Sequence, residues 1–494
     1  MRYHHIFWDF NGTLLDDVGA ALGCVNDLLD RKGRPHITLE DYYTYVETPI
    51  IGFYKHILPP EELNFEEISR DYHIDYAKRA NQTCPAEGAY QLVHSLKEKG
   101  VKQYIITANI QAEAEALLKE HGLFDCIDVL LGAQNTLAES KTERALKLFN
   151  ELGIDRNDAL FVGDTLHDLE TANALGIDCV LVSYGHQGRR LLEENNAFVV
   201  DSIKELSQII FDERCIDFHT HSTCSDGTMT PTELVHHAKE QGLSAIALTD
   251  HDSVDGIEEA LLAAKEVGIE LVPGIEFSAA DETETHIVGL FIDPKNEVLL
   301  NQISRLRTTR VKRMQDTCNR LCKLGIDISY EEVLRLAGNN FVGRAHIAQL
   351  MVQKGYCQTV KECFQRYIGL GKPAYSPKVD FSATDAVKAI RAAGGIAFLA
   401  HLHQTNYRIN QLEDLLIKLK AAGLTGIEGY YTEYTPEHIS QYRALALKLG
   451  LAISGGSDFH AAIKPHIEIG VGDGNLKIPY YVCENLKNIK NRLN

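Results

Sequence analysis

Short apolar runs alternate with amphipathic stretches along most of this chain. Tyr3 to Trp8, Lys102 to Ile106, Ala159 to Val162 and Cys179 to Ser183 read as buried strands, with helical segments such as Thr142 to Leu152 between them. That alternation predicts an α/β fold with a parallel sheet covered by helices on both faces. From about Val18 to Cys84 the pattern is interrupted by a stretch rich in aromatic and charged residues, which reads as a helical insert. A second strand-and-helix series runs through Arg214 to Phe218, Ser244 to Leu248, Glu270 to Ile275, Ile287 to Ile292, Gly395 to Leu399 and Leu451 to Ser454. Between about Ile303 and Gly371 the strand signal stops. Charged helix carrying Arg305, Arg307, Arg310 and Arg313 replaces it, an insertion whose arginines read as a solvated face.

The series break near Asp212, which predicts two domains, 1–211 and 212–494, joined without a Gly/Ser/Pro linker. A length of 494 residues, 45% of them hydrophobic and 24% charged, suits a globular protein with sizeable cores. The net charge of -20 argues against broad binding to duplex nucleic acid or an anionic membrane, and favours a small substrate held by local metals and arginines. Eleven scattered cysteines without paired ligand spacing suit a reduced, cytoplasmic compartment. Cys318 and Cys322, one helical turn apart, read as two small buried side chains. The N-terminal residues lead straight into a strand, so neither a signal peptide nor a membrane segment is expected.

Candidate chemistry lies at the ends of the strands, where parallel sheets bind ligands. The first strand runs into DFNGTLLDD, with Asp9, Asn11, Gly12 and Thr13. Thr107 ends a second strand, Lys141 opens a helix, and a further strand enters GDTLHDLE with Asp164 and Asp168. Together these supply a carboxylate nucleophile, a hydroxyl and an ammonium for phosphate oxygens, and carboxylates for Mg²⁺. In this order they resemble the haloacid dehalogenase (HAD) superfamily over about residues 1 to 210. The resemblance implies a Rossmann-like domain with a helical cap over about 18–84. It makes Asp9 the nucleophile and a Mg²⁺ ligand, the Asn11 carbonyl and Asp164 (with Asp168) further metal contacts, and Thr107 and Lys141 the phosphate holders. Family phosphatases carry Asp where this chain has Asn11. Asn can neither protonate a leaving oxygen nor activate water. The expectation is therefore a slow phosphatase, a phosphotransfer domain, a phosphatase whose cap supplies another acid, or a domain kept as scaffold.

The second domain begins its motifs with FHTHSTCSDGT, which holds His219, His221 and Asp226. TDHD adds Asp250 and His251, PGIEFSA adds Glu276, and His286, His401 and the Asp458 and His460 of GGSDFH follow at later strands. In a barrel the strand ends converge, so such distant residues can share one pocket. Imidazoles mixed with carboxylates, without cysteine, suit Mn²⁺, Zn²⁺ or Fe²⁺. Burying so many of them together needs cations. The ordered set resembles the PHP (polymerase and histidinol phosphatase) superfamily over about residues 214 to 475, implying a distorted (βα)7 barrel with a helical insertion at about 303–371. GRAHIAQLMV, with Arg344 and His346, further resembles the insert of PHP nucleoside 3′,5′-bisphosphate phosphatases and relatives that trim RNA 5′ ends.

By that resemblance His219, His221, Glu276 and Asp458 hold one metal. Glu276 bridges to a second held by His286 and His401, and Asp226, His251 and His460 hold a third. Two or three ions are expected, with Glu276 essential to catalysis. Arg344 is expected to clamp a substrate phosphate, with His346 nearby. The implied function is hydrolysis of a phosphomonoester of a small nucleotide-like molecule. A cyclic, sugar or histidinol phosphate, or a non-catalytic accessory role, stands as the alternative. His236, His237 and His403 carry no motif support.

Overall fold

A computed structural model describes residues 1–46, 50–133, 140–280, 283–338, 342–377 and 381–493. The chain forms two compact units, Met1–Glu213 with Ile439–Gly450, and Arg214–His438 with Leu451–Asn494.

The first unit is built on a parallel sheet. Its strand order is Val129–Ala133, Lys102–Ile110, His5–Trp8, Ala159–Gly163, Asp178–Val182 and Val199–Val200. The central strand His5–Trp8 pairs in parallel with Lys102–Ile105 on one side and Ala159–Val162 on the other. Both faces are covered, which explains why these strands are apolar without alternation. Phe7 packs with Phe149 and Phe161 on one face, while Ile6, Trp8 and Ile105 join the core on the other. Trp8 is wholly buried and satisfies its indole by donating Nε1–H to Gln103 Oε1 at 3.2 Å. The insert consists of helices Val18–Arg31, Leu39–Tyr45, Ile51–Ile57 and Phe65–Arg79, with a separate core of Val25, Leu28, Phe53 and Tyr54. The strand Val129–Ala133 escaped the sequence reading. Its side chains are only half-buried, as suits a sheet edge.

The second unit is a nearly closed barrel. Its strands run in the order Ala452–Gly456, Gly426–Tyr431, Ile396–Leu399, Glu284–Leu290, Glu270–Ala280, Ala245–Leu248, Cys215–Thr220 and Ile478–Pro479. Glu284–Leu290 is antiparallel to both of its neighbours, which distorts the βα pattern. Closure comes at the first and last barrel strands. The Asp458 amide donates to His219 O and the His221 amide to Phe459 O, both at 2.9 Å. Gly456 permits this approach, since a Cβ there would stand 2.3 Å from the His219 nitrogen. The insertion begins at Glu297, earlier than the sequence indicated, and comprises Glu297–Lys323, Tyr330–Leu336, Arg344–Gln353 and Val360–Cys363. It has its own core around Met314, Leu321, Ile347 and Met351. Cys318 is buried there, but Cys322 is exposed, so the two do not form the buried pair expected. Among the described residues no helix is long and apolar enough to cross a membrane.

Candidate metal centres

In the first unit the loop after His5–Trp8 brings Asp9 to the C-terminal edge of the sheet. Gly12 is required just beyond it. Its φ is +72°, and a Cβ would lie 2.3 Å from Asp164 Oδ2. Ser140 caps the helix Lys141–Leu152 by accepting from the Glu143 amide at 3.2 Å, while Glu143 accepts from the Ser140 amide at 2.8 Å. That start fixes Lys141, whose Nζ sits 2.8 Å from Asp9 Oδ1 and 2.5 Å from Asp168 Oδ1. Asp168 also accepts from the amides of Asp164 and Thr165 and from the Thr165 hydroxyl. Its oxygens are thus filled by the protein, and it serves as the anchor of Lys141. Asp164 accepts from Thr13 Oγ1 at 2.8 Å and from the His186 amide at 2.6 Å. Thr107 is buried and lines the same cavity as Asp9 and Lys141.

Oxygens of Asp9, Asp164 and Asp168 come close enough to share a cation. Burial pushes the Asp9 carboxyl up to about 6 in spite of Lys141. Asp164 rises to about 7 through burial and, against His186, through the charges of Asp9 and Asp168. A cation among them would favour the ionised forms.

Asn11 has an environment that the sequence did not reveal. Its Nδ2 donates to Asp17 Oδ2 and Tyr76 Oη, both at 2.8 Å, and Tyr76 donates to the same Asp17 oxygen at 2.6 Å. The other Asp17 oxygen accepts from the Gly12 amide at 2.7 Å and lies 3.2 Å from His186 Nε2. An aspartate at position 11 would set two carboxylates against each other. The amide is therefore matched to Asp17.

The second unit gathers its ligand-type side chains at one end of the barrel. His219 and His221 lie on Cys215–Thr220 and just beyond it, and alternation points both rings inward. Their Nε2 atoms stand 3.4 Å from Glu276 Oε2, and 3.6 Å and 3.3 Å respectively from Asp458 Oδ1. Four ligands at ~2.1 Å around a tetrahedral ion would be about 3.4 Å apart; these nitrogen–oxygen separations are of that order, and His219, His221 and Asp458 outline a cation-sized space. His219 Nε2, His221 Nε2 and Glu276 Oε2 are buried without a hydrogen bond, a state that costs stability unless an ion satisfies them. The donor set fits a metal.

Glu276 Oε1 is 2.9 Å from His286 Nδ1 and 3.0 Å from His401 Nε2, while its Oε2 is 2.9 Å from His251 Nδ1. Glu276 thus stands between several histidines. His460 Nε2 lies 3.3 Å and His251 Nε2 3.7 Å from opposite oxygens of Asp226. Groups close enough to share an ion are His219, His221 and Asp458; His251, Glu276 and His286; and His221, Asp226, His251 and His460.

The electrostatics follow from this crowding. Burial drives His221 down to about 3, helped by neighbouring His460. Burial also opposes charge on His219, but Glu428, Glu276 and Asp458 outweigh it and raise its pKa well above the usual range. Burial works against the Glu276 carboxylate too, yet His251, His219 and His286 hold its pKa well below normal. His401 and Asp458 keep positive φ of 28° and 58°. For non-glycine residues such backbones persist only where the surroundings impose them.

Residues that sequence reasoning missed hold this arrangement in place. Glu428, on Gly426–Tyr431, takes His219 Nδ1 at 2.6 Å and accepts from the His401 amide at 2.6 Å. Tyr431 donates to Asp458 Oδ2 at 2.9 Å, and Lys464 pairs with the same oxygen. Asp250 is not a member of the cluster: it accepts from the Ser222 amide and from the hydroxyls of Ser222 and Ser225, fixing the loop that carries Asp226. The reading of the arginines as solvated needs correction at two positions. Arg305 and Arg307 are exposed, but Arg313 is half-buried, and Arg310 turns inward, only 13% exposed, and pairs with Asp252 beside His251. Arg344 opens its helix with its guanidinium over the Phe364 and Tyr375 rings, 5.5 and 5.7 Å from the centroids. His346, mostly buried, accepts from the Gly343 amide at 3.2 Å, and burial lowers its pKa against the charge of Asp226. His237 and His403 pair with Glu468 and Glu433.

Known proteins share both halves. The family model for haloacid dehalogenase-like hydrolases matches residues 6–182, and that for the PHP domain matches residues 217–375. A 5′-3′ exoribonuclease of Haemophilus influenzae is 39% identical over 245 residues, 49% of this chain and 89% of that protein. A 3′,5′-nucleoside bisphosphate phosphatase of Chromobacterium violaceum is 35% identical over 248 residues, 50% of this chain and 87% of that protein. A phosphoglycolate phosphatase of Pseudomonas savastanoi is 29% identical over 212 residues, 41% of this chain and 77% of that protein. The chain therefore belongs to the PHP family, carries a haloacid dehalogenase-like hydrolase domain ahead of it, and is a phosphoric ester hydrolase.

Proposed function

We propose that the PHP domain hydrolyses phosphomonoesters of small nucleotide-like molecules, with a nucleoside 3′,5′-bisphosphate or a short oligonucleotide as substrate. The observation that carries this reading is the set of buried, hydrogen-bond-free nitrogen and oxygen atoms spaced for cations at one barrel end. The names of the two relatives that are 39% and 35% identical over about half of this chain agree with it. His219, His221, Glu276 and Asp458 would hold a first ion, Glu276 with His286 and His401 a second, and Asp226, His251 and His460 a third. Nitrogen and oxygen donors favour Mn²⁺, Zn²⁺ or Fe²⁺. Bound ions of this kind acidify water and offset charge on phosphoryl oxygens.

The protein's own part is orientation. Glu428 fixes the His219 ring, and Tyr431 and Lys464 fix Asp458. Arg344 would clamp a non-reacting phosphate with His346 beside it, since guanidinium matches phosphate oxygens in a bidentate fork. In the HAD domain Asp9 would be the nucleophile. Mg²⁺ would lie among Asp9, the Asn11 carbonyl and Asp164, and Thr107 and Lys141 would hold phosphate.

The test is phosphate release by the whole chain in Mn²⁺ from a nucleoside 3′,5′-bisphosphate and from the matching 5′-monophosphate. A charged hydrogen bond contributes ~1.5–3 kcal/mol. The bisphosphate should therefore be preferred roughly tenfold or more in kcat/KM, and Arg344→Ala should erase the preference. Equal rates on both substrates in the unaltered chain would reject the reading.

A further inference from the structure

A cavity in the first unit extends from Asp9 and Lys141 outward beneath the insert, and encloses about 420 Å³. That is the scale of a small-ligand site, several times what a two-carbon phosphate ester fills. Its outer walls are apolar and aromatic, from Val25, Tyr42, Phe53, Tyr54, Tyr72 and Tyr76. These rings are preset rather than loose. Tyr42 meets Phe53 edge-on at 5.5 Å, and Tyr72 stacks on Tyr76 at 5.8 Å.

The charges along the walls are already matched. Lys141 lies between Asp9 and Asp168. His186 faces Asp17, His73 faces Glu113 and His167 faces Glu170. Among the described residues lining the cavity there is no arginine and no second lysine. A substrate with a carboxylate beyond its phosphate would meet no uncommitted cation. A flat, uncharged body would meet aromatic surface.

We infer that the HAD domain binds phosphomonoesters whose alcohol carries a flat, uncharged ring system, of the nucleoside 5′-monophosphate class, in preference to small acidic phosphate esters. The phosphate lies at Asp9, Thr107 and Lys141, as the proposed function places it, and the ring system lies among the aromatic residues of the insert. This class includes the monophosphate that the second domain would release from a bisphosphate. That link rests on the proposed function of the PHP domain and is not needed for binding.

The experiment uses the full chain carrying Asp9→Asn and Glu276→Gln, so that neither domain consumes the ligand, with Mg²⁺ present. Titration with AMP, ribose 5-phosphate and 2-phosphoglycolate compares the three by calorimetry. Stacking of one base should make AMP at least about tenfold tighter than either of the others. Ser69→Trp fills the cavity from the half-buried face of Phe65–Arg79 without removing core, and should abolish that advantage while ribose 5-phosphate still binds. Phe65→Ala, at a side chain that is 42% exposed, trims the wall with little risk to folding and should weaken AMP alone. Equal binding of the three ligands, or binding of none, overturns the inference. An AMP advantage that survives Ser69→Trp also overturns it, by placing the base elsewhere on the chain.

Discussion

The two candidate metal centres solve the same electrostatic problem in opposite ways. In the first unit three buried aspartates converge, and the protein supplies most of their partners: Lys141 for Asp9 and Asp168, Thr13 and the His186 amide for Asp164. In the second unit imidazoles face carboxylates, and ring nitrogens and carboxylate oxygens stay buried without hydrogen bonds. The first is an oxygen-lined pocket with a lysine already in it. The second leaves ligand-type atoms that an ion would satisfy. Sequence alone suggested two metal sites, and the geometry separates them by how much of their bonding the protein already supplies.

The sharpest way to break that comparison is at Glu276, which lies within 3.4 Å of ring nitrogens from five histidines. Glu276→Gln keeps the shape and removes the charge that two proposed ions share. Outer partners of metal ligands typically cost ~10–100-fold when lost, so a bridging ligand should cost more than about a hundredfold in phosphate release. Metal content should fall below that of the unaltered chain. Full metal content with an ordinary rate would show that the cluster is not the catalytic centre.

A smaller effect is expected in the first unit, and it depends on a pair rather than a residue. Asn11→Asp alone should not accelerate phosphate release from a HAD substrate, because the new carboxylate would face Asp17 where the amide now donates at 2.8 Å. Asn11→Asp combined with Asp17→Asn exchanges the two groups and keeps one hydrogen bond between them. General acid–base assistance is worth ~10²–10⁴-fold, and the exchanged pair should recover about the lower end of that range. The measurement is turnover of a phosphomonoester by the full chain with the second site silenced by Glu276→Gln. A gain from Asn11→Asp alone would mean that Asp17 does not oppose a charge there. No gain from either variant would mark the domain as a scaffold.

The sequence was most legible where chemistry and strand ends coincide. His219, His221, Asp458 and His460 follow apolar runs, and the barrel closure that joins Asp458 to His219 needs no more than those runs to be adjacent strands. Asp9 and Asp164 were legible for the same reason, and Lys141 as the opening residue of a helix. Partners that lie within a strand were harder to read. Glu428 sits inside GIEGYY, flanked by glycines that weaken the strand signal, so neither the strand nor its buried carboxylate stood out. Tyr431 was missed with it. Arg310 was misread because it shares a charged helix with exposed arginines, and only the position of Asp252 across from it shows which one turns inward. Asp17 was quoted within a motif, but its role depends on Tyr76 and His186, far away in sequence.

Glu428 offers the finest test of the contrast between the two centres. It touches none of the atoms that outline the cation-sized space. It takes the Nδ1 face of His219 and the backbone of His401, turning the His219 Nε2 atom toward Glu276 and Asp458. Glu428→Gln preserves volume and one acceptor, so part of the orientation survives and the fold should hold. The lost charge makes the His219 ring a poorer donor to a cation. The expected result is about a tenfold loss in Mn²⁺ affinity at the second site, at the mild end of the outer-partner range. Titration of the metal-free full chain against a chromophoric chelator reads that loss directly, with the melting temperature of the metal-free protein as the control for mere damage. Mg²⁺ binding at the first centre provides an internal reference, because Glu428 belongs to the other unit. An unchanged Mn²⁺ affinity would mean that the His219 ring is held by packing alone, and the second centre would then be as self-sufficient as the first.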